Sequence, residues 1–135
     1  MDSRLNPVFQ ALRFAFGLTA LLAGLDKFLN LLTNWEQYAS PIATAIIPAS
    51  TLMRIAGVIE MIVGIAVLAG MTRIGGYVVA AWLTLIAINL VTTGHFFDVA
   101  VRDLVMAVGA FALARISEVR ETATVNVTQR RAAVA

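Results

Sequence analysis

The chain has 135 residues, of which 60% are hydrophobic and only 13% charged, and its mean hydropathy is +0.86. A soluble domain of this size carries roughly twice that charge density, so the composition points to one small domain whose solvent is lipid. Cysteine is absent and histidine occurs once, which excludes disulfides, thiol redox chemistry and thiolate metal sites, and leaves too few ligands for a self-contained metal centre. The net charge of +2 gathers into no basic patch, and nucleic acid is therefore not an expected partner.

A bilayer core needs about 20 mostly apolar residues per helix, and four segments meet that requirement. The first covers 8–32, with Pro7 in its first turn, where a missing N–H leaves no hydrogen bond unmade. Arg4 and Arg13 ahead of the apolar run 14–25 resemble a signal peptide. Three more apolar runs follow, so the first is read as a retained span. A connection rich in Trp35, Tyr38, Pro41 and Pro48 comes next, suited to the headgroup level, and 42–47 within it is expected to form a short interfacial helix.

The second segment covers 52–69, with Ser50 or Thr51 as its N-cap and Gly70 as its stop. After a link of only a few residues the third covers 74–93, without a single charge, capped by Thr72 and ended by Gly94. The fourth covers 99–116, with Asp98 as its N-cap and Arg102 and Asp103 in its first turns. The expected fold is all-α, a four-transmembrane-helix bundle over 1–116, followed at 117–135 by a polar tail that is mobile or a fraying helical extension.

Lys/Arg bias sets orientation. Arg4, Arg13, Arg73, Arg115, Arg120, Arg130 and Arg131 fall on one side, and Lys27, Arg54 and Arg102 on the other. Both termini are therefore expected in the cytoplasm, with the Trp35 and His95 loops outside.

Charged side chains inside spans cost several kcal/mol unless paired or hydrated, which makes them the informative residues. On the first span Arg13, Gly17, Ala20, Gly24 and Lys27 share one face; on the second, Gly57, Glu60, Met61 and Gly64 do, with Arg54 a turn earlier. Small residues let helices approach closely, so these faces are expected to point inward. Glu60 lies near the bilayer middle, ~13 Å into its helix. Asp26, Lys27, Arg54, Arg102, Asp103, His95 and Asp98 gather toward the outer leaflet above it. Simpler roles stand beside the functional one: snorkelling for Lys27 and Arg13, capping for Asp98, a loop position for His95, a cross-helix hydrogen bond for Asn89 and packing for the methionines. Glu60 is the residue with no inexpensive structural role, its expected partner being Arg13, Arg54 or Arg102.

At these residues the chain resembles the DoxX family of small bacterial and archaeal membrane proteins. Arg13 with Gly17, the GLDKF segment at 24–28, Gly57, Glu60 and Gly64 in RIAGVIEMIVG (54–64), and Arg102-Asp103-Leu104 carry the resemblance, which spans 8–116. It implies a four-helix fold in a prokaryotic inner membrane and a link to redox complexes. In that reading the chain is a subunit of a quinone-linked oxidoreductase, with no intrinsic cofactor and a quinone as the candidate ligand. Glu60 is the proton carrier, and Lys27, Arg54, Arg102, Asp103, Asp26, Arg13 and His95 line the polar pocket. The alternatives are a non-catalytic accessory subunit in a larger membrane complex or homo-oligomer, and a small-molecule or lipid permease.

Overall fold

The computed structural model describes residues 2–135, and among them no strand occurs. A 3-10 turn at Ser3–Leu5 leads into helix α1 (Asn6–Leu29). The connection that follows holds a second 3-10 turn, Trp35–Tyr38, and the short helix α2 (Pro41–Thr44). Helices α3 (Ala49–Leu68), α4 (Thr72–Thr92) and α5 (Phe97–Val134) complete the chain. A short helix is present in the connection, at Pro41–Thr44 rather than over 42–47, with Ser40 Oγ capping it at Ala43 N.

Helix ends differ from the sequence expectation for local reasons. α1 stops at Leu29, three residues short of the apolar run, because Asn30 turns left-handed at φ 52° and the Asp26 carboxylate accepts the amides of Leu31 and Leu32. α3 starts early: Pro48, in extended conformation, delivers the chain directly into Ala49, so neither Ser50 nor Thr51 is the cap. Thr72 is the first residue of α4 rather than its cap, and its hydroxyl instead accepts the Ser117 hydroxyl at 2.7 Å. α5 follows a left-handed Phe96 (φ 60°), which moves Asp98 from the cap position into the first turn. There its charge still complements the positive end of the helix. Gly70 and Gly94 close the preceding helices with φ of 108° and 75°. The span expected at 99–116 and the tail at 117–135 are one uninterrupted helix of 38 residues.

The bundle is assembled from two pairs. α1 packs along α3 and α4 along α5 far more extensively than either pair packs on the other. The first pair closes over facing glycines: a Cβ on Gly24 would stand 2.6 Å from the Gly57 carbonyl oxygen, and one on Gly57 2.7 Å from that of Gly24. Gly17 and Gly64 repeat the arrangement two turns away, seven residues before Gly24 on α1 and seven after Gly57 on α3. A core of Phe9, Val67, Val79, Ala110 and Leu113 fills the bundle at the end bearing the N-terminus. A smaller one of Ala87, Leu90 and Ala100, covered by Tyr38 and Phe96, fills the opposite, loop-bearing end.

The exterior is strongly apolar. Leu18, Leu22, Leu25, Ile62, Ile65, Leu85, Ile88, Val105 and Val108 all face outward. Soluble monomers do not carry an apolar band of that extent. α1 with its preceding turn, α3 and α4 are each long and apolar enough to cross a membrane, and the environment they call for is a lipid bilayer.

Candidate functional site

The four long helices bring their inward polar side chains together toward the loop end. Lys27, in the last turn of α1, reaches across the glycine contact, where the missing side chain at Gly57 leaves room for its stem. Its ammonium donates to Glu60 Oε2 at 2.6 Å, and both side chains are more than nine-tenths buried. Trp82, halfway along α4, donates its indole N–H to the other carboxylate oxygen, Oε1, at 2.9 Å. Glu60 is thus held by one helix on each side. Lys27 also lies 3.8 Å from the centroid of the Trp35 ring, which covers it from the loop side.

Trp35 is fixed in that position by Asp26. The indole N–H donates to Asp26 Oδ2 at 2.8 Å, while Leu31 N and Leu32 N donate to the same carboxylate at 3.0 Å each. Three donors satisfy this buried acid, and its role is to hold the loop that roofs Lys27. Nearby, Asn89 ties α4 to the connection, donating to the Tyr38 carbonyl and accepting from Ser40 N. It bonds to the loop rather than across helices.

Asp103 differs from both of the other acids. It is 8% exposed, lies on the inner face of α5, and has neither an ion pair nor a hydrogen bond to another described residue. No fully enclosed polar side-chain atom among the described residues lacks a partner, so the Asp103 oxygens are not fully enclosed.

The remaining sequence candidates lie elsewhere. Arg13 does not reach Glu60. It donates to the carbonyls of Val67 and Leu68 and to Gln10 Oε1, so it caps the far end of α3. Arg54 and Arg102 are exposed, on the outward faces of α3 and α5, and neither forms an ion pair among the described residues. Arg54 borders a shallow apolar surface groove of about 310 Å³ with Phe28, Ile55, Val58 and Ile59. His95 is exposed in the α4–α5 turn, where its amide donates to Thr93 Oγ1. The expected arginine partner of Glu60 is therefore a lysine, because the α1–α3 glycine register sets Lys27 against it and turns Arg54 outward.

Trp82 and the roofing role of Trp35 were not anticipated. A signal for Trp82 existed: an indole N–H in the middle of an otherwise uncharged span requires a hydrogen-bond partner. Among the described residues no group of three or more His, Asp or Glu is placed to hold a metal ion. Comparison with protein-family models, with curated proteins and with solved structures finds no match.

Proposed function

We propose that the chain is a DoxX-like, four-span subunit of a quinone-linked oxidoreductase in the inner membrane of a prokaryote, with both termini in the cytoplasm. The observation that carries the reading is the buried Lys27–Glu60 ion pair, with a second buried acid, Asp103, on the inner face of α5. Quinone reduction and oxidation move protons together with electrons, and acids held inside the membrane next to a fixed cation are the equipment for the proton part. The electrons belong to a partner that carries a redox centre. Glu60, Lys27 and Asp103 form the site, Trp82 and Asp26 position it, and Arg54, Arg102, Arg13 and His95 have no part in it.

A fourth span is supported by α5 itself, which turns Val101, Leu104, Val105, Val108 and Phe111 outward while keeping Asp103 inside. The Lys/Arg bias supports the orientation.

A second reading, a non-catalytic accessory subunit of a larger membrane complex or homo-oligomer, is favoured by one observation. Both oxygens of the Glu60 carboxylate are engaged, one by Lys27 and one by Trp82, as befits a clamp between helices.

Gentle detergent extraction, identification of co-purifying proteins and extraction of bound quinone test both readings. The first expects a redox-active partner, bound quinone and a sharp fall in turnover in Glu60→Gln and Asp103→Asn complexes that still assemble. Undiminished turnover in both variants, with the partner retained, rejects it in favour of the accessory role.

A further inference from the structure

The charges inside the bundle do not balance. Lys27 and Glu60 neutralise each other at 2.6 Å, and Asp103 remains, buried and without a partner among the described residues. No other cation is available to it. On α1, Arg13 is committed to the far end of α3; on α3, Arg54 faces outward; α4 carries no charge after Arg73; on α5, Arg102 is exposed beside Asp98. In the connecting segments Glu36 and His95 are exposed and Asp26 is held by three donors. An isolated carboxylate in such surroundings takes up a proton rather than remain charged.

We propose that Asp103 is the proton-binding residue of this protein, holding one exchangeable proton beside a fixed Lys27–Glu60 pair. The assignment deepens the proton-handling reading above and replaces Glu60, the carboxylate in the middle of the span, as the carrier. Glu60 is already stabilised as an anion by an ammonium and an indole N–H, and to take a proton it would have to give up the ion pair. Asp103 gives up nothing, and its oxygens are not fully enclosed, which leaves the proton a route of exchange. The reaction is proton transfer alone: water at the accessible edge of the carboxylate donates to or accepts from one oxygen, and no electron moves.

Charge counting also predicts how the proton redistributes. Without the Glu60 charge, Lys27 becomes the partner of Asp103, and the proton is lost. Without Lys27, both acids become protonated.

Infrared difference spectroscopy of the purified chain in phospholipid vesicles reads this with no partner complex or quinone present, so its outcome is independent of the oxidoreductase reading. Between pH ~8 and ~5.5, where exposed aspartates stay ionised, the wild-type chain is expected to gain a protonated-carboxyl band. That band shifts with 13C-aspartate and not with 13C-glutamate. Asp103→Asn and Glu60→Gln remove it, and Lys27→Met adds a glutamate band. A band that follows the glutamate label, or no band in this range, overturns the assignment. Isotope editing of the wild-type chain decides the matter even where a variant does not fold.

Discussion

Lys27 and Glu60 are 33 positions apart in the chain, yet their side chains meet at 2.6 Å inside the bundle. Removing one partner of a buried pair strands the other, at about 3–5 kcal/mol. The two removals are not equivalent here, because Asp103 stands by. Glu60→Gln leaves Lys27 with a substitute acid, whereas Lys27→Met leaves two acids with no cation. Lys27→Met is therefore expected to lose the full amount and Glu60→Gln about half of it or less. Unfolding in mixed micelles measures the difference, and equal losses would contradict Asp103 as the stand-in.

Trp82→Phe keeps the ring and deletes the N–H that reaches Glu60 Oε1. A hydrogen bond to a charged group contributes about 1.5–3 kcal/mol, and a loss in that range is expected from the same assay. Trp35→Phe retains the ring face over Lys27 and loses the bond to Asp26. It should release the loop more than it weakens the bundle, which limited proteolysis between α1 and α3 detects.

Gly57→Ala places a methyl 2.7 Å from the Gly24 carbonyl oxygen, a backbone atom that has no room to yield. Forcing α1 and α3 apart is expected to cost about 1–3 kcal/mol and to stretch the Lys27–Glu60 contact. Val58→Ala, one residue on and facing outward, is the control. Similar stability for the two variants would show that the close approach is unimportant.

For the orientation, a reporter fused after Ala135 should behave as cytoplasmic and one inserted near Ser40 as external. The reverse pattern would refute the Lys/Arg assignment.

The end of α5 is expected to exchange its amide hydrogens much faster than its first half. Residues 124–134 are all exposed, and Thr124, Val125, Val127 and Thr128 are poor helix formers. Isolated helices of this length are marginal in water. Protection at 124–134 equal to that around Ala110 would mean that a partner covers the segment.

The helices were legible in the sequence because each is a long apolar run bounded by turn residues. Gly70 and Gly94 ended theirs as expected, and Pro7 stands in the first turn of α1. Glu60 was legible as a buried charge because no apolar span tolerates one without a reason. Its partner was not, since pairing depends on the register between two helices, and that register follows from which glycines face each other across the α1–α3 contact. Three of the expected N-caps failed for a related reason. Ser50, Thr72 and Asp98 have the right chemistry, but the backbone conformations of Pro48, Met71 and Phe96 decide where each helix begins. Arg13, Arg54 and Arg102 all looked available as partners because an arginine's reach exceeds what periodicity alone constrains.

The long α5 has a mechanical consequence. It is a single rod of 38 residues, about 57 Å from end to end, and its far portion stands clear of the other helices. A load on that stalk is carried first by the α4–α5 pair, which is the better bonded to it: Tyr77 and Arg73 grip Glu118, and Arg73 also holds Glu121. The seam with the α1–α3 pair is the softer joint. Asp103 rides on the loaded side of that seam and Glu60 on the other, so a tilt that slides the pairs by an ångström changes the spacing of the two acids. The interaction of an ionised Asp103 with the Glu60 charge scales inversely with that spacing, so leverage applied outside the bundle reaches the acids inside it.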